Sequence, residues 1–267
     1  MKTELHRYIT SVFDLYHKPE YMSLDPLEFV RGLKGRQNQE IGGLICSALA
    51  YGRVEHIRKN IAEVFGIMGS DLVRYCVDVS YKDKKHAFSQ FKHRFNPGDD
   101  IALLLDCAGT IIGRFGSVES LFLQGLARDH DSIKPALEAF CKEICLLAHK
   151  KGSRELKTFS FLFPLPSGGS ACKRLNMYLR WMVRENDGID LGLWKTVSPR
   201  LLVIPVDTHI AQIAREWGMT KRKTADWVMA EEITAVLRTI DHSDPVRFDF
   251  SLCRAGMVGF RDMKKVA

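Results

Sequence analysis

The spacing of hydrophobic residues predicts helices along almost the whole chain. Apolar residues recur at intervals of three and four, which is the period of one helix face. A strand-like alternation of apolar and polar residues bounded by turn residues is missing. The predicted helices are marked by Leu5–Tyr16, Ile41–Leu49, Val54–Ile67, Asp99–Cys107, Pro135–Leu147, 171–185, 208–217, 225–240 and 245–254. The sequence therefore predicts an all-α fold.

Composition favours a protein with a substantial core and no membrane partner. The chain has 267 residues, of which 46% are hydrophobic, enough to bury a core. The most apolar windows, Ile41–Tyr51 and Ile101–Gly113, are too short to cross a bilayer. The amino terminus has no long apolar run after its basic residues, so no secretory signal is expected. We expect a cytoplasmic protein.

The charge is compatible with a polyanionic partner but does not require one. The formal net charge is +7, a moderate basic excess. The run "KDKKHAFSQFKHRF" at 82–95 interleaves basic and aromatic residues. It could contact nucleic acid, although a solvated helix face is the favoured interpretation.

The cysteines favour ordinary thiols over disulfides or a metal site. There are seven, an odd number, and their spacing is scattered. Cys141 and Cys145 could lie on one helix face, but no second pair accompanies them. We expect buried thiols and no metal.

The segment "IPVDTHIAQIAREWG" at 204–218 combines a helix with an acidic residue at its start. Asp207 precedes the apolar face, where its side chain can accept hydrogen bonds from free backbone N–H groups. Gly218 supplies the expected stop. The cap and a chemical role for the carboxylate are compatible. The apolar face is formed by Ile210, Ile213, Ala214 and Trp217.

A second unusual segment, "FPLPSGGSACKRLNMYLRWMVR" at 163–184, predicts a tight hairpin followed by a helix. Proline and glycine are costly inside helices, so they indicate the turn. Lys173 would lie in the first turn of the next helix, near backbone amides that attract anions. A phosphate backbone suits this arrangement, with added charge from Arg174, Arg180 and Arg184.

Three segments resemble the helix-hairpin-helix DNA glycosylase superfamily, which includes endonuclease III. They are "VDTH" at 206–209, the hairpin with "K-x-x-N" at 173–176, and "CSALAYGRVEHIRKNI" at 46–61. The interval from lysine to aspartate is longer than in endonuclease III and similar to that of archaeal 8-oxoguanine DNA glycosylases. More narrowly, the sequence resembles a bacterial family to which no function is assigned.

The resemblance implies roles for individual residues. Lys173 would be the nucleophile and Asp207 the assisting carboxylate. Leu49 matches the side chain that enters the duplex when a base flips out. The four-cysteine iron–sulfur loop is absent, since only Cys253 follows Cys172, so no cofactor is expected. The implied DNA contacts are Gly168, Gly169, Ser170, Arg174, His209, Leu49, Tyr51 and Arg53.

Two of these assignments stay open. His209 either contacts a phosphate or only packs. Trp181 and Trp194 either form the walls of a pocket for the flipped base, where aromatic rings stack, or belong to the core.

The resemblance implies two helical subdomains with a DNA-binding cleft between them. Residues 37–187 would form a central subdomain ending in the hairpin and the lysine helix. Residues 1–36 with 188–267 would form the other, which carries the aspartate. Lys173 and Asp207 would then face each other across the cleft. We expect a monomer, associated with the nucleoid, whose partner is double-stranded DNA containing a damaged base.

The expected activity is that of a DNA glycosylase with AP-lyase activity, acting in base excision repair. The lysine would attack the sugar and hold it as a Schiff base. The resemblance favours 8-oxoguanine. Its N7–H donor needs an acceptor in the pocket, which is either a backbone carbonyl near the hairpin or a side chain such as Gln39 or Asp249. The alternatives are a pyrimidine-lesion glycosylase of the endonuclease III type, a non-catalytic helical DNA-binding protein, and a helical protein unrelated to nucleic acid.

Overall fold

A computed structural model describes residues 2–127, 131–151 and 157–258. The described chain is mostly helical, as the hydrophobic spacing predicts, with one short antiparallel ribbon of strands β1 (Lys92–His93) and β2 (Asn96–Pro97). The helices are α1 (Lys2–Tyr16), α2 (Leu27–Arg31), α3 (Arg36–Leu49), α4 (Val54–Met68), α5 (Leu72–Asp78), α6 (Tyr81–Ala87), α7 (Gly98–Phe115), α8 (Val118–Leu123), α9 (Lys134–Lys150), α10 (Lys157–Ser160), α11 (Lys173–Val183), α12 (Thr208–Glu216), α13 (Trp227–Arg238) and α14 (Asp249–Met257).

The chain divides into two compact units whose boundaries differ from the predicted ones. Unit 1 combines Met1–Ser23 with Pro166–Ala267, and unit 2 is Leu24–Leu165. The hairpin and the lysine helix therefore belong with the aspartate segment in unit 1. The prediction that Lys173 and Asp207 come from different subdomains is wrong. The physical reason is that α11 packs its apolar residues into the core of unit 1, which also contains the aspartate segment.

Unit 1 is organised around α14, which lies against α1 and α12. Its core contains the fully buried indoles of Trp181, Trp194 and Trp227. Tyr178 packs edge-on against Trp194, with ring centroids 5.5 Å apart. Aromatic side chains of this size contribute a large share of core stability.

A buried ion-pair network ties α11 to the rest of unit 1. Arg180 pairs with Asp190 at 3.1 Å and with Asp249 at 2.5 Å. Arg184 pairs with Asp190 and, at 2.8 Å, with Asp244. Both guanidinium groups are almost completely buried, and their charges are matched by carboxylates from later segments.

Unit 2 is built around α7, which contacts α5, α6, α8 and α9. Its 82–95 segment forms a solvated helix face over only part of its length. Residues 82–87 belong to α6, where Lys82, Lys85 and His86 are exposed, and β1 follows. Lys84 is buried, donates to the Cys76 carbonyl oxygen at 2.7 Å and pairs with Asp106 at 3.1 Å. Pairing compensates for burying this charge.

No helix in the described part of the chain is long and apolar enough to cross a membrane.

Candidate functional site

The hairpin before Lys173 is an exposed turn in which two residues have left-handed backbone conformations. A short 3-10 turn at Pro166–Gly168 leads to Gly169, whose φ is +80°. Cys172 has φ +48°, and its N–H donates to Ser170 Oγ at 3.0 Å. Such a conformation costs roughly 1–2 kcal/mol in a residue other than glycine. Backbone strain of this kind is concentrated at functional sites.

Lys173 is the first residue of α11 and is half-buried. Its amine donates to Met177 Sδ at 3.6 Å. Among the described residues, Lys173 makes no ion pair. The amine is therefore held by a weak acceptor on its own helix and is not committed to a carboxylate.

The predicted cap at Asp207 is confirmed, and the carboxylate is held at both oxygens. Oδ1 accepts from the backbone N–H of Ile210 at 2.8 Å, inside α12. Oδ2 accepts from the thiol of Cys253 at 3.3 Å, on α14. Two donors from two helices fix the position of this half-buried group.

Helix α14 carries two further titratable side chains whose pKa values are influenced by the charges of Lys173 and Asp207. Asp249 and Cys253 are four positions apart, which places them on one face. Burial raises the pKa of Asp249 to about 6, and the negative charge of Asp207 raises it too. The positive charges of Arg180 and, more weakly, Lys173 lower this pKa. Burial also raises the pKa of Cys253, Asp207 and Asp249 raise it further, and Lys173 lowers it. Lys173 and Asp207 thus act on the same two side chains.

His209 lies close to α14. A Cβ atom added at Gly256 would come within 2.5 Å of His209 Cβ and 3.1 Å of Nδ1. The imidazole therefore occupies space that exists because position 256 has no side chain. His209 is half-buried and packs against α14 at position 256. Its contact with a phosphate stays a prediction.

The predicted phosphate contacts divide into exposed and buried groups. Gly168 and Gly169 are exposed and Ser170 is half-buried, so the hairpin can be approached from solvent. Arg174 is buried, with 8% of its surface exposed. The predicted contribution of Arg180 and Arg184 is wrong, because both are engaged in the buried ion-pair network. Arg174 likewise lacks the exposure that a phosphate contact needs.

The pocket role of Trp181 and Trp194 is also corrected. Both indoles are completely buried in unit 1, so neither presents a ring face to a base. The core alternative is the one that the structure supports. Trp217, on the apolar face of α12, is only half-buried and stacks on Tyr8 with centroids 4.7 Å apart.

The third predicted segment lies in unit 2. Leu49 is completely buried at the end of α3, so the prediction that it enters a duplex is wrong in this conformation. Tyr51 is half-buried and Arg53 is exposed just before α4. Sequence reasoning missed Cys253 as a partner of Asp207. The only signal was its spacing of four from Asp249 in the last predicted helix.

No group of three His, Cys, Asp or Glu side chains in the described ranges is arranged to hold a metal ion. Cys141 is buried and Cys145 is half-buried, and burial raises the pKa of the Cys145 thiol.

Residues 25–258 match the model of a family described as "Protein of unknown function (DUF2400)". The chain belongs to this family. The DUF2400 match includes the hairpin, Lys173, Asp207 and all of α14, so the whole candidate site lies within it. No curated protein and no solved structure matches the chain significantly.

Proposed function

We propose that the protein is a DNA glycosylase with AP-lyase activity that acts in base excision repair. The observation that carries the proposal is the joint position of Lys173 and Asp207 in unit 1. The lysine follows an exposed, strained hairpin, and the carboxylate is fixed by Ile210 and Cys253. A lysine amine and a fixed carboxylate that influence the same two side chains of α14 can supply the nucleophile and the charge stabilisation that glycosidic bond cleavage uses.

Lys173 would supply the covalent step. Its neutral amine attacks C1′ of the deoxyribose, and the C1′–N bond breaks with its electron pair leaving on the base, which takes up a proton. The attached ammonium loses a proton, and the C1′–O4′ bond breaks with its electron pair leaving on O4′, which takes up a proton. The nitrogen lone pair completes the C=N bond of a protonated Schiff base. Elimination from this intermediate removes the C2′ proton and breaks the C3′–O bond, which cuts the strand. The weak contact with Met177 leaves the amine available for this role.

Asp207 would stabilise the positive charge that builds on the sugar as the base leaves. A carboxylate serves this purpose when its position is set before the reaction. The hydrogen bonds to Oδ1 and Oδ2 come from α12 and α14, so both oxygens are oriented by the core of unit 1. The helix cap and the catalytic role use the same geometry.

The proposed substrate is double-stranded DNA with a damaged base, and we favour 8-oxoguanine. This preference rests on the resemblance to archaeal 8-oxoguanine enzymes. The buried indoles no longer support it. Two side chains were expected as acceptors for the base. Asp249 already pairs with Arg180, and Gln39 is half-buried in unit 2, whereas Lys173 and Asp207 belong to unit 1. A cleft between subdomains, a monomeric state and association with the nucleoid stay predictions.

Borohydride trapping tests the covalent step. The protein is incubated with duplexes carrying 8-oxoguanine, thymine glycol, uracil or an abasic site, and the adduct is mapped by mass spectrometry. We expect an adduct on Lys173 that Lys173→Gln abolishes and the exposed control Lys195→Gln retains. An adduct on another lysine, or salt-dependent binding without trapping, would overturn the assignment. Faster excision of thymine glycol than of 8-oxoguanine would favour the pyrimidine-lesion alternative.

A further inference from the structure

Unit 2 carries a cluster of aromatic rings on its surface. Phe95 and Phe161 are the two aromatic residues among the exposed large hydrophobic side chains described, with 46% and 40% of their surfaces exposed. Their centroids lie 4.5 Å apart at an interplanar angle of 75°. Both also contact the ring of Tyr51, at 5.5 and 5.1 Å. Grouped exposed apolar side chains mark interaction sites more often than scattered ones do.

A buried polar network holds these rings in place. The Tyr51 hydroxyl donates to the His93 carbonyl oxygen at 2.9 Å, and His93 Nε2 lies 3.1 Å from the Tyr51 carbonyl oxygen. Asn96 Nδ2 donates to Asp100 Oδ2 and to the Thr158 carbonyl oxygen, both at 2.7 Å. The ribbon that presents Phe95 and the segment that leads to Phe161 are therefore fixed to each other.

Three cations surround the rings. Arg53, Lys92 and Arg94 are exposed, and in the described ranges none of them makes an ion pair. Arg94 has φ +55°, and its guanidinium lies 5.9 Å from the centroid of Tyr51. A Cβ atom at Gly52, whose φ is +105°, would meet the Arg94 side chain at 3.1 Å. The backbone of both segments is thus shaped to bring a cation beside the rings.

We infer that this aromatic–basic surface, formed by Tyr51, Phe95, Phe161, Arg53, Lys92 and Arg94, binds unpaired bases of DNA. The choice of DNA as the polyanion rests on the proposed function. Exposed rings offer faces and edges for base stacking, and neighbouring cations match the phosphates between bases. Bases inside an intact duplex are already stacked on each other. The surface should therefore prefer single strands, gaps and flipped-out positions over intact duplex.

The test measures binding of a labelled oligothymidylate strand and of an intact undamaged duplex to the full-length protein by fluorescence anisotropy. Phe95→Ala with Phe161→Ala should weaken single-strand binding about tenfold or more, as the loss of base stacking requires, and should change duplex binding much less. Phe95→Trp should keep single-strand affinity and Phe95→Leu should weaken it, because leucine is apolar but does not stack. Arg94→Gln should reduce the salt dependence by about one phosphate contact.

Leu146→Ala is the matched control, since Leu146 is an exposed apolar residue of unit 2 outside the surface, with 47% of its surface exposed. It should bind the strand as the unaltered protein does. The inference is overturned if the double variant binds it unchanged, if Leu146→Ala weakens binding equally, or if Phe95→Leu binds as well as Phe95→Trp. Borohydride trapping at Lys173 is measured separately from strand binding, so failure of the covalent mechanism is distinguishable from failure of the surface.

Discussion

The thiol of Cys253 donates a hydrogen bond to Oδ2 of Asp207 at 3.3 Å. Asp207 caps the start of α12 and Cys253 lies in α14, so the two residues are far apart in the sequence. Because Ile210 already occupies Oδ1, the thiol holds the oxygen that the helix cap leaves available. Cys253 therefore determines the orientation of the carboxylate in the proposed mechanism, without contacting the substrate in that role.

We predict that Cys253→Ala lowers the turnover of excision about fivefold while the KM for lesion DNA stays nearly constant. One hydrogen bond contributes about 1 kcal/mol, which is a factor of about five in rate. Cys253→Ser keeps a donor at the same place and should retain most of the activity. Single-turnover kinetics of both variants check this. Equal losses in the alanine and serine variants would show that volume, not the hydrogen bond, matters.

Asp207→Asn separates the helix cap from the charge. Asparagine caps helices about as well as aspartate, so the free energy of unfolding should change by less than about 1 kcal/mol. Activity should fall by roughly a hundredfold or more, because the charge that stabilises the sugar cation is gone. Urea unfolding and excision assays on the same preparation test both statements. Full activity in the asparagine variant would leave Asp207 a purely structural role.

Gly256→Ala should destabilise unit 1 by about 1–3 kcal/mol, the usual cost of overpacking. The added methyl group would lie 2.5 Å from His209 Cβ, so α12 or α14 must shift. His209→Gly combined with Gly256→Ala should recover part of this loss, because glycine removes the Cβ atom that the new methyl group would meet. Gly113→Ala is the control, because a Cβ atom there meets nothing within 4 Å and the position lies inside α7. Thermal unfolding of the unaltered protein, the two single glycine variants and the double variant measures these changes in stability. A double variant as unstable as Gly256→Ala alone would contradict the prediction.

The long helices could be predicted from the sequence because hydrophobic spacing reports directly on burial. The prediction for 54–67 matches α4, Val54–Met68, and the cap at Asp207 could be recognised just before its apolar face. Helices such as α5 and α8 were missed because they are too short for the period to stand out.

The site residues were harder to predict because their partners are distant in sequence. Arg180 and Arg184 looked like surface cations, since an arginine in a sequence does not reveal whether carboxylates will surround it. Their partners Asp190, Asp244 and Asp249 come from segments that only folding brings together. Leu49 was misassigned for a related reason, because its exposure depends on what packs over the end of α3.

The raised pKa of Asp249 makes a prediction about stability and pH. Between its ordinary value of 3.8 and its folded value of about 6, the folded protein holds a proton that the unfolded chain has lost. Asp249 therefore contributes most to the free energy of unfolding at the acid end of this window, and this contribution is lost as the pH rises from about 4 to about 6. Asp249→Asn removes the titration. The unfolding free energy of the unaltered protein, minus that of the variant, should fall by about 3 kcal/mol across the window and stay constant above it. Urea unfolding followed by tryptophan fluorescence at several pH values measures this difference. A difference that stays constant from pH 4 to 6 would mean that Asp249 is ionised throughout, with Arg180 compensating for its burial.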